Sequence, residues 1–157
     1  MSSVMDQLFD QRPLIAVMIS LAAAITMPLF SRHPNWREGC TLLAATLKLF
    51  VVASMLSAVL AGETPSSASI LLPQGLSLHL RADPLGLVFA LTSATLWVVT
   101  SLYSIGYMRA KEAPRQTGYY AAFALCLSAT TGLAFAGNLL TFFVFYEILT
   151  LSTYPLV

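Results

Sequence analysis

Polar and apolar positions alternate in long blocks along this chain. Five apolar runs, residues 13–30, 40–61, 84–108, 119–136 and 139–157, are divided by polar stretches. A helix rises 1.5 Å per residue, so about 20 apolar residues cross a hydrocarbon core of about 30 Å. The shortest runs hold 18 and 19 residues and the longest holds 25. Each reads as a membrane-crossing helix. The pattern predicts an all-α polytopic membrane protein with about five transmembrane helices.

The stretches between the runs differ in chemistry. Residues 31–39, SRHPNWREG, read as a polar link with Pro34 as a breaker and Trp36 as an interfacial anchor. Residues 109–118 are polar and basic, and Gly137-Asn138 reads as a tight turn whose Asn138 can cap the last helix. The longest link, residues 62–83, opens on the loop-like TPSSAS and closes on LSLHLRAD. Alternation at period two predicts a short extended segment there, before the third helix. Asp83-Pro84 matches an N-cap followed by a first-turn proline, so that helix is expected to start at this pair.

Composition agrees with the pattern. Of the 157 residues, 57% are hydrophobic and 10% charged, with a mean hydropathy of +0.77. Soluble domains carry about 25% charged residues. A net charge of +1 excludes the basic field of a nucleic-acid binder. Arg32, Arg37, Arg109, Lys111 and Arg115 fall in the links on one side of the predicted bundle, against Arg12 and Arg81 on the other. The positive-inside rule then puts the N-terminus outside. The leading segment holds Asp6, Asp10 and one arginine, unlike a secretory leader, so the first run is expected to be a retained span. A close on STYPLV, without a polar tail, suggests the front part of a longer protein. No internal repeat is visible.

Two charges lie inside the runs, Lys48 and Glu147. An ionised group at the bilayer centre costs about 3 kcal/mol on insertion scales, so such a residue usually faces protein or water. Glu147 is the ninth residue of its run, about 12 Å in. Thr150 and Tyr154, three and seven positions on, share its helical stripe and are candidate path-lining residues. A carboxyl there either binds and releases protons or stays protonated and holds helices together. Lys48 is also ninth in its run, entering from the opposite face, so the two depths differ by about 6 Å. Lys48 either snorkels toward the headgroups or meets an internal partner, for which Glu147 is the candidate.

Hydroxyls in the fourth run, Ser128, Thr130 and Thr131, support either a hydrated path or close helix packing. Cys40 and Cys126 read as small buried hydrophobes, and with His33 and His79 they show no metal-ligand spacing. The chain carries no phosphate loop, HExxH or GxSxG. Neither a metal nor a cofactor is expected, and no catalysis by the chain alone.

Two segments carry a family resemblance. RADPLGLVFALTSATLWVVTSLYSIGYMR, residues 81–109, resembles the stretch leading through the third helix of the antiporter-like proton-translocating subunits. TTGLAFAGNLLTFFVFYEILTLSTYPLV, residues 130–157, is similar to the start of their proton-transporting core. These subunits occur in respiratory complex I, in membrane hydrogenases and in Mrp-type cation/proton antiporters. YEILTLSTYPLV leans toward the branch that holds the D-type Mrp antiporter proteins and the M-type proteins of complex I. The resemblance implies that Glu147 corresponds to the family's essential fifth-helix glutamate, which works with a lysine on a later helix. It also implies a division into residues 1–117, a three-helix membrane region, and residues 118–157, the first two helices of the antiporter core. That later lysine lies outside this sequence, so this stretch alone is not expected to complete a proton path.

The expected function is the N-terminal part of a proton-translocating subunit of a multi-subunit monovalent cation/proton antiporter in the cell inner (plasma) membrane. Expected partners are other membrane subunits, the lipid bilayer, and protons with Na⁺ or K⁺, and no nucleic acid. One alternative is a membrane subunit of an NADH–quinone oxidoreductase or membrane hydrogenase, whose redox activity would belong to partner subunits. Another is a truncated or split structural subunit.

Overall fold

Helices form where the apolar runs lie, with ends set by capping chemistry. The computed structural model describes residues 11–31, 33–67, 70–71, 73–111 and 116–156. Helix α1 (Arg12–Thr26) has a proline in its first turn, where a missing N–H costs nothing, and continues as a 3₁₀ turn through Met27–Phe30. Helix α2 (Pro34–Ser54) breaks at Met55 before a short α3 (Leu56–Leu60). Helix α4 (Pro84–Lys111) begins at the expected pair, with the Gly86 N–H donating to Asp83 Oδ1 at 2.8 Å. Helices α5 (Gln116–Ala134) and α6 (Leu139–Thr153) follow, and α6 ends in a 3₁₀ turn, Tyr154–Leu156. The expected end of the last run at Val157 lies outside the described residues.

One boundary differs from expectation. Pro34 starts α2 instead of breaking the chain, because the first helical position tolerates proline. Arg37 and Glu38, expected in a polar link, are therefore helical, and both are buried.

The extended link forms a cap at the other end of the bundle. Strand β1 (Ile70–Leu71) pairs antiparallel with β2 (Ser77–Leu78), Ile70 opposite Leu78. Single bridges join Ser66 to Arg81 and Leu80 to Ala136. Leu80 and Ala82 are buried while Arg81 between them is exposed, the predicted period of two. Their side chains join Val59, Leu87 and Phe135 in one apolar cluster. Asn138 ties this cap to α6. Its Oδ1 accepts from the Thr141 N–H at 2.8 Å and its Nδ2 donates to the Ser77 carbonyl at 2.7 Å.

Helix α5 is central, packed on α1, α4 and α6, while α2 packs on α1 and α4. Alanines at the contacts, including Ala45, Ala94 and Ala124, let the backbones approach. Among the described residues, four segments, Arg12–Phe30, Pro34–Leu60, Pro84–Lys111 and Leu139–Leu156, are long and apolar enough to cross a membrane. Helix α5 spans 19 residues and is shielded by its neighbours, with Ser128 and Thr131 among its buried side chains. Large apolar side chains such as Ile25, Phe50, Leu85 and Leu151 cover the outside. Such a surface belongs in lipid. The chain is an all-α, multi-pass membrane protein.

Candidate functional site

The two intramembrane charges occupy opposite environments. Glu147 stands mid-way along α6, with its side chain exposed. Helix α6 docks along one edge only. Thr141 is buried there and accepts from the His79 N–H at 2.9 Å. Phe145 lies over Gly132 of α5, and the Ser152 hydroxyl sits 3.2 Å from Cys126 Sγ. The opposite face bears Phe143, Tyr146, Glu147, Thr150, Leu151 and Tyr154, all exposed. Spacings of three and four put these on one stripe, so Glu147, Thr150 and Tyr154 do share an edge. They do not bond to one another. Thr150 Oγ1 donates to the Tyr146 carbonyl at 3.0 Å, and Tyr154 is 86% exposed in the terminal turn. Among the described residues Glu147 has no hydrogen-bond or ion-pair partner, and the ion pair found is Arg109–Glu38.

Lys48 is fully buried. Its Nζ donates to the Leu127 carbonyl of α5 at 3.1 Å and lies 5.2 Å from the centre of the Trp97 ring on α4. Of the two readings left open for Lys48, the structure supports the internal partner. Lys48 does not snorkel, because its stem points into the α2–α4–α5 junction. Nor does it meet Glu147, which faces outward from a helix on the far side of α5. A desolvated ammonium held by one carbonyl and one ring face is an uncommon arrangement. Such a group keeps its charge only through these contacts and whatever water reaches it. The same carbonyl also accepts from Thr131 Oγ1 at 2.7 Å. A cleft of about 410 Å³ between α4 and α5 includes Trp97, Leu127 and Thr130 in its wall.

A third set of polar groups closes the basic end of the bundle. Arg37 donates from Nη1 to Thr117 Oγ1 at 3.0 Å and from Nη2 to Gln116 Oε1 at 2.7 Å, with its guanidinium 5.3 Å from the Tyr120 ring centre. Glu38 pairs with Arg109 through Nε at 3.1 Å and Nη2 at 2.5 Å, and Arg109 also reaches Asn35. These contacts bind the start of α2 to the end of α4 and the start of α5. Residue types alone did not mark this cluster. The signal was present in spacing: Arg37, Thr41 and Lys48 stand at intervals of four and seven, one stripe of a helix that starts at Pro34.

The chain is similar to known proteins over most of its length. Na(+)/H(+) antiporter subunit A1 of Staphylococcus aureus is 26% identical over 147 residues, covering 91% of this chain and 18% of the relative. The same subunit in strain JH9 matches with the same identity and coverage. This chain thus spans about a fifth of the length of the curated relatives it matches. A chain in the structure of the membrane-bound sulfane sulfur reductase (MBS), an archaeal respiratory membrane complex, shares the fold with a TM-score of 0.72 at 18% identity. That match covers 88% of this chain and 21% of the other. No family model matches the chain.

Proposed function

We propose that this chain, which resembles the antiporter-like membrane subunits in sequence and fold, supplies the N-terminal helices of a proton-translocating cation/proton antiporter subunit. Glu147 is the proton-handling carboxylate of this segment, with Thr150 and Tyr154 lining its approach. The observation that carries the reading is the position of Glu147: mid-helix, without a partner among the described residues, on a face the other described helices leave open. A carboxylate directed at lipid is costly. The same side chain facing further helices or water becomes a site where a proton binds and leaves. Curated relatives about five times as long as this chain provide for such cover. The partners are further membrane subunits, the transported ions are protons with Na⁺ or K⁺, and the setting is the cell inner membrane. Residues 118–157 then form the opening pair of core helices and residues 1–117 a peripheral three-helix region.

The test is Glu147→Gln in the full-length protein within its complex. The change keeps size and hydrogen-bonding capacity but removes titration. Sodium- or potassium-driven proton movement in everted vesicles should fall by roughly a hundredfold. Antiport at the unsubstituted rate, with normal assembly, overturns the assignment. A second reading is a subunit of a redox-driven pump, favoured by the fold shared with an archaeal respiratory complex. Proton movement that needs electron flow through the purified complex, and no sodium or potassium gradient, selects it.

A further inference from the structure

Buried polar groups that lack a protein partner cluster in one place. Among the described residues, the buried side-chain nitrogen and oxygen atoms without a hydrogen bond are Arg37 Nε, Trp97 Nε1, Ser101 Oγ and Tyr120 OH. An unpaired buried polar atom is costly, so four in one fold call for a physical reason. All four stand on α2, α4 and α5, the helices that meet at Lys48.

Helix geometry puts them in line. On α2, Arg37 and Lys48 are eleven residues and about three turns apart, so they share a face across about 17 Å. On α5, the Tyr120 ring lies beside the Arg37 guanidinium, and Leu127, two turns on, offers the carbonyl that holds Lys48. On α4, the Trp97 ring faces Lys48, Ser101 lies one turn nearer the basic end, and Ser104 follows with its Oγ 3.5 Å from Tyr119 OH. The depths agree between antiparallel helices. From the Glu38–Arg109 pair to the Lys48–Trp97 contact is about 15 Å along α2 and about 18 Å along α4. The charged and titratable groups facing this seam are Arg37, Glu38 and Lys48 from α2, Arg109 from α4, and Tyr119 and Tyr120 from α5.

We propose that this seam is hydrated and makes Lys48 a second intramembrane proton-binding site, reached from the basic end of the bundle and separate from Glu147. A file of water satisfies the four orphaned groups, each water needing two to four polar neighbours. The Lys48 ammonium passes one proton to the adjacent water and the resulting amine takes one back, so the exchange balances without any other bond changing. The Leu127 carbonyl and the Trp97 face hold the charged form between exchanges. The stripe of Glu147 lies on the far side of α5, so the two sites act on different routes.

Radiolytic hydroxyl labelling of the full-length protein in lipid nanodiscs tests the water. Radicals form where water stands, and mass spectrometry reads the labelled residue. Corrected for intrinsic reactivity, Trp97 and Tyr120 should be labelled at least about fivefold more than Phe135, which is equally buried in the apolar cluster under the cap. Labelling at the Phe135 level overturns the hydrated seam. Lys48→Arg tests the exchange, because a guanidinium keeps its charge but does not give up its proton. Proton movement should fall at least about tenfold in Lys48→Arg and in the near-isosteric Lys48→Met, each compared at equal recovery of assembled complex. Full activity in either assembled variant overturns the exchange role. Glu147→Gln should leave Trp97 and Tyr120 labelling unchanged, which separates this inference from the fate of the carboxylate.

Discussion

Gly132 controls how closely the helix bearing Glu147 lies on the bundle. A Cβ at this position would overlap Phe145 Cγ, Cδ1 and Cε1 together, so the ring has to move. Two effects compete in Gly132→Ala. Helix propensity favours alanine by about 1 kcal/mol. Overpacking opposes it by about 1–3 kcal/mol. The overlap should win by about 1 kcal/mol, because three ring atoms are met at once and Phe145 is wedged between α5 and α6. Removing the ring reverses the balance. In a Phe145→Ala background the overlap with these three ring atoms is gone, and the same Gly132→Ala change should stabilise by about 1 kcal/mol. The cycle then gives a coupling of about 2 kcal/mol. Thermal unfolding in detergent, followed by a thiol dye reacting at buried Cys126, reads each step. The sign of the Gly132→Ala effect should invert between the two backgrounds. A shift of the same sign and size in both refutes the close contact, and with it the account of how Glu147 is placed.

Three further outcomes follow from the same structure. Lys48→Met exchanges a desolvated ammonium for an apolar chain of similar length; the lost carbonyl bond and ring contact are offset by the removed burial cost, so stability should stay within about 1 kcal/mol of the parent or rise. A fall of many degrees in the unfolding midpoint would falsify that balance. Arg37→Lys cannot span Gln116 and Thr117 together and should lose about 1–2 kcal/mol, seen as a lower unfolding midpoint. Asn138→Ala removes both the α6 cap and the link to Ser77 and should cost about 1–2 kcal/mol, whereas Asn138→Asp keeps the cap alone and should recover about half, measured by the same unfolding assay.

Much of the architecture was legible in the residues, because membranes reward a one-dimensional code. Length and apolarity mark helices directly, and the local chemistry of Asp83-Pro84 and Asn138 marks where α4 and α6 begin. Leu80 and Ala82 announced an extended segment through alternation alone. The start of α2 was missed because proline reads as a breaker within a polar stretch and as a first residue at a helix start, and only the packed neighbours decide between them. Tertiary structure likewise decided the fate of the two charges. Sequence puts Lys48 and Glu147 at similar depths, yet depth says nothing of azimuth. Lys48 turns inward because α5 offers a carbonyl and α4 a ring, while Glu147 turns outward because Gly132, Thr141 and Ser152 commit the other edge of α6 to the bundle. Which helix stands beside which is a long-range outcome of side-chain packing, and a linear pattern of apolar runs does not contain it.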